Sequence, residues 1–203
     1  DGATHQGIFD LAFLRSIPNM IIASPLNEHE LRNMMFTAWQ NAHEKGLPFA
    51  VRYPRGRGVL VEWKNTPEGL KIGKGRVLCE GHEVAILSLG PLGNNVTKAI
   101  ELLETENIHP THVDMRFLKP LDEELLADIA AHHKVLITIE DGVAKGGLFS
   151  AVSEYISDHQ LDNRLSHIAI DDRFVPHGDI PSLYKELGFD AEGIARVIRK
   201  AVR

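Results

Sequence analysis

Asp1 and His5 stand in a short polar opening loop, Asp1-Gly2-Ala3-Thr4-His5-Gln6. Imidazole is the side chain best suited to moving protons near neutral pH, and a carboxylate beside it can orient a hydroxyl or hold the ring. Taken alone the pattern is weak, because a solvated loop with a surface histidine produces it too. Arg55 lies in Arg52-Tyr53-Pro54-Arg55-Gly56, directly after an alternating apolar run. Strand ends in parallel α/β sheets face the crevice where ligands bind. An arginine held there beside a proline presents a planar fork to a phosphate or carboxylate. A surface arginine at a turn is the competing reading. Glu140-Asp141-Gly142, followed by Gly146-Gly147, falls between a strand pattern and a helix pattern. Those glycines could bring backbone N–H groups to a phosphate at the helix start, or they could make only a tight turn. Gly90-Pro91-Leu92-Gly93-Asn94 is similar, and there Asn94 as a helix cap explains the segment without a ligand.

Other chemistries find less support. The chain has 11 histidines, but His132 and His133 are adjacent and do not share a helix face, and no His-x-x-x-His falls on an expected helix. Both fit better as residues suited to a helix C-terminus, so no metal site is expected within the chain. There is no Gly-x-x-x-x-Gly-Lys phosphate loop and no Gly-x-Ser-x-Gly elbow. A formal net charge of -6 argues against a general nucleic-acid surface. Cys79 is the only cysteine, which excludes an intramolecular disulfide and suits a reducing cytoplasm. No apolar run approaches the ~20 residues that span a bilayer. At 203 residues, 43% hydrophobic and 25% charged, the chain has ample material for one large domain or two modest ones.

The elements that must carry these residues form two α/β blocks. In the first, Met20–Ala23 is a short strand ended by Ser24-Pro25. A helix starts after Asn27, whose side chain caps it, with Glu30 completing a capping box and Leu26 and Leu31 forming a staple. Leu31, Met34, Met35, Ala38 and Ala42 recur at helical spacing as one buried stripe. Gly46 ends that helix, and Phe49–Tyr53 alternates as a strand. Residues 57–72 lose periodicity, with the linker set at 61–72 between a first domain, 1–60, and a second, 73–203. The second block reads as strands at Val84–Leu89, Thr111–Met115, Val135–Ile139 and His167–Ile170. Its helices carry Val96, Ala99, Ile100 and Leu103, then Leu125, Leu126 and Ile129 behind the Asp122 cap, then residues 148–158. A helical hairpin, Ile180–Leu187 and Ala191–Val202, closes the chain at Gly188. Strand–helix alternation with short turns implies a mostly parallel sheet covered by helices on both faces. Residue 1 is not Met, and an ordered apolar pattern (Ile8, Leu11, Leu14, Ile17) begins at once, so a piece of a longer protein is expected.

Three segments together are more specific than any one alone. Asp-Gly-x-Thr-His-Gln-Gly-x-Phe-Asp at 1–10, Arg-Tyr-Pro-Arg-Gly at 52–56 and Val-Asp-Met-Arg-Phe-Leu-Lys-Pro-Leu-Asp at 113–122 occur in that order. The chain thereby resembles the 1-deoxy-D-xylulose-5-phosphate synthases, thiamine-diphosphate enzymes of the transketolase superfamily, over essentially its whole length. The resemblance implies the end of a pyrimidine-binding domain followed by a transketolase C-terminal-like domain. It implies a cytoplasmic homodimer that condenses pyruvate with glyceraldehyde 3-phosphate, releases carbon dioxide, and supplies isoprenoid, thiamine and pyridoxal synthesis. By the same resemblance His5 lies beside the thiazolium and the substrate carbonyl, Asp1 contacts acceptor hydroxyls, and Arg55 binds the acceptor phosphate. Arg52 stays a structural neighbour.

Two departures bear on this. Leu148-Phe149-Ser150 follow the Gly-Gly turn where the family often has another small residue and Gly-Ser. The Gly-Asp-Gly motif with its later Asn, which holds diphosphate and magnesium in the family, and the cofactor-activating Glu are also absent, since Gly178-Asp179-Ile180 does not qualify. Thiamine diphosphate and magnesium are therefore expected in the full-length enzyme and not on this chain alone. The alternatives are a transketolase, a 2-oxoacid dehydrogenase beta subunit, or a dimerisation and docking module without activity.

Overall fold

The computed structural model describes residues 2–62 and 66–203, so Asp1 and the middle of the expected linker, residues 63–65, lie outside the described residues. A three-stranded sheet has the order β2-β1-β6, where β1 is Ile21–Ala23, β2 Phe49–Val51 and β6 Phe117–Lys119. β1 and β2 run parallel through the crossover helix α2, Glu28–Glu44, whereas β6 is antiparallel to β1. A short helix, α1 at Asp10–Arg15, precedes this sheet. β6 has no counterpart among the expected strands: it belongs to the second block in sequence but completes the first block's sheet. Phe117 shares a core with Ile21, Ala23 and Met34, and the Lys119 ammonium donates to the carbonyls of Arg15 and Ile17 at 2.9 and 2.8 Å.

The five-stranded sheet has the order β3-β5-β4-β7-β8, with β3 at Arg76–Cys79, β4 at Val84–Leu89, β5 at Thr111–Asp114, β7 at Val135–Val143 and β8 at Arg164–Ile170. Every pairing is parallel except that of β3 with β5. The helices are α3 (Gly93–Leu103), α4 (Glu123–His132), α5 (Leu148–Asp158), α6 (Ile180–Leu187) and α7 (Ala191–Ala201). β4 is buried on both faces, which is why it reads as a nearly continuous apolar run, broken only by Ser88, whose hydroxyl lies 2.9 Å from His112 Nε2. Val84 and Ile86 pack in one cluster with Val96 and Ile100 of α3 and Ile194 and Ile198 of α7. Ala85 and Leu87 face the other cluster, with Leu126 and Ile129 of α4, Leu148 and Val152 of α5, and Leu11 of α1. The mostly parallel, helix-covered sheet is thus the architecture of the second block.

Local signals explain the ends of most elements. Asn27 accepts from Glu30 N at 3.0 Å, Asp122 from Leu125 N at 3.2 Å, and Asp190 from Gly193 N at 2.9 Å. Gly188 closes α6 in the left-handed conformation, φ 70°.

Three details differ from expectation. The capping box at Asn27 is only half made, because the Glu30 carboxylate pairs instead with both Arg116 Nε and Nη2 at 2.9 Å. Around it, Arg76 Nη1 lies 3.2 Å from Glu30 and Arg76 Nη2 lies 3.2 Å from Asp114. Burial pushes the Asp114 carboxyl up to about 6, against the pull of Arg76. Second, the buried face of α2 is largely polar: Glu30, Asn33, Thr37 and Asn41 are buried beside Met34, while Met35 is 55% exposed. Residues 66–72 cross that face with backbone groups that need partners. Asn33 accepts from Glu68 N at 3.0 Å and Thr37 from Leu70 N at 2.8 Å, while Asn41 donates to Leu47 O at 2.8 Å. Third, Asn94 does not cap α3. Its amide donates to the carbonyls of Leu26 and Pro91 at 2.8 and 3.0 Å, tying that turn to the first block.

Candidate active site

The loop bearing His5 turns tightly, with His5 N donating to Gly2 O at 3.2 Å, and Gly2 takes φ 78°, a conformation natural to glycine. The Thr4 hydroxyl lies 2.9 Å from His5 Nδ1 and holds one edge of the ring. Three further attachments come from distant chain. The Gln6 side chain donates to Val175 O and accepts from Val175 N, the latter at 3.2 Å. Val143 N donates to Ile8 O at 3.0 Å, and Arg52 Nη2 donates to Gly7 O at 3.1 Å.

Arg52 and Arg55 follow β2, whose last residue is Val51 although the sequence pattern runs on to Tyr53. Arg52 donates to the backbone carbonyl of Asp141 and lies 3.5 Å from Asp10 Oδ2 and 3.9 Å from Asp141 Oδ2. The Tyr184 hydroxyl donates to the same Asp141 Oδ2 at 3.2 Å. Burial and the neighbouring Asp141 charge push the Tyr184 phenol well above its ordinary range, so it stays a hydrogen-bond donor at any working pH.

His5 and Arg55 open into one cleft of about 590 Å3, walled also by Gln6, Arg52, Asp141 and Tyr184. One wall comes from the first block and the opposite wall from residues 175–187 of the second. The arrangement offers an imidazole as proton donor or acceptor and, across the same space, a guanidinium fork for an anionic group. Asp1, the other expected substrate contact, lies outside the described residues. Asp141, Gln6, Val175 and Tyr184 were not anticipated as parts of this site. Asp141 stood inside a noted motif, but for different chemistry, and nothing in the local pattern of Tyr184 sets it apart from an amphipathic helix residue.

A second cleft, about 660 Å3, lies beside Arg15, Lys119, Glu154 and His159. It is larger, yet its cationic side chains are already engaged: Arg15 pairs with Glu154, and Lys119 donates to two backbone carbonyls. In the Glu140–Gly147 segment, the helix start that could have received a phosphate is filled from within the chain. Glu140-Asp141-Gly142 continues β7, and the Glu140 carboxylate accepts from Leu148 N and Phe149 N at 2.8 and 2.9 Å. The α5 N-terminus therefore receives the chain's own carboxyl group, and Gly146-Gly147 makes the tight turn beside it. A Cβ on Gly147 would sit 2.1 Å from Glu140 Oε2. His133 is spent on Ile129 O at 3.0 Å and the Thr111 hydroxyl at 2.8 Å, and His132 on Asp128 O at 2.8 Å.

Known proteins resemble this chain along nearly all of it. The family model for the transketolase pyrimidine binding domain matches residues 1–58, and that for the transketolase C-terminal domain matches residues 73–194. The 1-deoxy-D-xylulose-5-phosphate synthase of Parabacteroides distasonis is 50% identical over 200 residues, which is 98% of this chain and 31% of the relative. The synthase of Porphyromonas gingivalis is 48% identical over 194 residues, 96% of this chain and 30% of the relative. The chain thus spans less than a third of the length of these curated relatives. Among solved structures, a split-gene transketolase described as an inactive β4 tetramer matches with a TM-score of 0.81 and 31% identity, over 98% of this chain and 62% of that one. A transketolase mutant from Pichia stipitis matches with a TM-score of 0.70 and 20% identity, over 100% of this chain and 28% of that one, and so shares the fold. With the two domain models in sequence order and the two-block fold they describe, the chain belongs to the transketolase family.

Proposed function

We propose that the chain is the C-terminal part of a thiamine-diphosphate-dependent 1-deoxy-D-xylulose-5-phosphate synthase, which condenses pyruvate with glyceraldehyde 3-phosphate and releases carbon dioxide. The observation that carries this reading is the convergence of His5 and Arg55 on one cleft, in a chain half identical to such synthases. In this reading Arg55 holds the phosphate of the acceptor aldehyde, and that remote anchor fixes the carbonyl near His5. The His5 imidazole donates a proton to the carbonyl oxygen as negative charge develops there. Asp1 contacts the acceptor hydroxyls. Domain limits of 1–60 and 73–203 with a linker at 61–72 belong to the same proposal.

The described residues do not fit the diphosphate and magnesium end of the cofactor. Asp179, the acid of Gly178-Asp179-Ile180, spends its carboxylate on Ser182 N at 3.0 Å as the cap of α6. Asp10 and Asp141 are turned to Arg52. We therefore assign this chain the acceptor half of the site, inactive alone, with thiamine diphosphate and magnesium held by other parts of the full-length enzyme. A cytoplasmic homodimer is the assembly that goes with this reading. No helix of the described residues is long and apolar enough to cross a membrane.

The test is Arg55→Ala in the full-length enzyme, followed by steady-state kinetics. KM for glyceraldehyde 3-phosphate should rise about 10- to 100-fold, the loss expected for charge-assisted hydrogen bonds to a phosphate. An unchanged KM would remove Arg55 from the phosphate site. The split-gene neighbour supports transketolase chemistry as a second reading. Release of carbon dioxide from pyruvate separates the two, since ketol transfer from a sugar phosphate releases none.

A further inference from the structure

Arg52, Asp141 and Tyr184 come from three separate stretches of chain and meet behind the His5 loop. The Tyr184 hydroxyl donates to Asp141 Oδ2 at 3.2 Å, and the same carboxylate oxygen lies 3.9 Å from Arg52 Nη1. Arg52 in turn holds the loop at two points, Gly7 O at 3.1 Å and Asp10 Oδ2 at 3.5 Å. The Arg52 side chain is 11% exposed and that of Asp141 18%, so the contacts are sheltered from water. The next residue up the loop from Gly7, Gln6, is clamped to Val175, a few residues before α6. α6 also reaches the other side of the cleft: a Cβ on Gly56, next to Arg55, would lie 3.8 Å from Ile180 Cδ1. α6 therefore lies against the Arg55 segment and reaches the His5 loop through Asp141 and Arg52.

We propose that Tyr184 is a positioning residue of this site: acting through Asp141 and Arg52, its hydroxyl sets the loop that carries His5. The inference rests on the functional reading above only for what the loop does in turnover. Removing the hydroxyl leaves the Asp141 carboxylate one donor short and lets it turn from Arg52, which then keeps the Asp141 backbone carbonyl but loses its charged partner, and the hold on Gly7 and Asp10 loosens. The contacts from Tyr184 through Asp141 and Arg52 end on Gly7 and Asp10 of the His5 side. The consequence falls on the proton-donating side of the cleft and not on the phosphate side.

Tyr184→Phe in the full-length protein tests this with two readouts. Amide hydrogen exchange of the peptide covering residues 5–9 should quicken about tenfold, the scale of one lost hydrogen bond to a charged group, with core peptides unchanged. Turnover of pyruvate with glyceraldehyde 3-phosphate should lose about five- to tenfold in kcat while KM for the aldehyde stays within about twofold. Unchanged loop exchange would overturn the proposal, as would faster exchange spread over the whole protein, or a faster loop with unaltered kcat. If the wild-type enzyme does not turn over these substrates, the functional reading falls, and loop exchange still decides whether Tyr184 holds the loop.

Discussion

Replacing Glu140 with Gln isolates a single buried carboxyl and should change how stability depends on pH. Burial pushes this group from its ordinary 4.5 up to about 7, although the N–H groups of Leu148 and Phe149 pull the other way. Between those values the folded state keeps a proton that the unfolded chain has released, so stability falls as pH rises through that window and levels off above it. At about 1.4 kcal/mol per pH unit, the whole excursion is about 3 kcal/mol. Carboxyls lowered by partners, among them Glu106, Glu124 and Glu154, act in the opposite sense and lose their contribution as pH falls. The measurement must therefore be the difference between wild type and Glu140→Gln, taken from denaturant unfolding at several pH values across the window. Gln cannot ionise, but its NH2 cannot accept the second backbone N–H, so the variant starts below wild type near pH 4.5 by an amount that does not depend on pH. The difference between the two should move in favour of the variant by about 3 kcal/mol as pH passes 7. A difference that stays flat, or changes in favour of wild type, would refute the argument that burial governs this carboxyl.

Gly147→Ala tests the same corner by sterics: the new Cβ would meet Glu140 Oε2 at 2.1 Å and Val143 O at 2.8 Å. A cost of about 2 kcal/mol is expected, read as a thermal midpoint lower by about 6 °C. Arg116→Ala strips the bidentate partner from buried Glu30 and should cost about 3 kcal/mol in urea unfolding, with Glu30→Gln in the same background recovering part of it. If the single change stays within about 0.5 kcal/mol, the pair is not what fixes that turn.

Much of the fold was legible because its signals are local. Residues 148–158 and 180–187 were read as helices with the ends the structure has, since a Gly pair, Asp179 and Gly188 set them by backbone chemistry alone. β4 was legible for a different reason: six consecutive apolar-compatible residues suit a strand buried on both faces. The α2 stripe was misjudged because helical periodicity ranks residues by hydrophobicity, whereas Asn33, Thr37 and Asn41 are buried to satisfy backbone groups of residues 47–70. β3 and β6 escaped notice because each is short, and the partner that makes it a strand lies elsewhere in the chain.

The candidate site divides along the same line. The sequence by itself determined that His5 sits on a polar turn, that Arg55 follows a strand, and that their motifs match one enzyme family in order. Side-chain type and short-range spacing carry all of that. Only the tertiary structure decided that the two residues face one cleft, that Arg52 bonds the loop directly and is backed by Asp141, and that Asp141 in turn accepts from Tyr184. Such contacts arise where packing of the five-stranded sheet brings β7 and α6 against the opening loop, and no residue near Tyr184 in the chain records that meeting. The same packing turned Glu140 inward to occupy the α5 N-terminus, so a glycine pair compatible with a phosphate became a turn around the protein's own carboxylate.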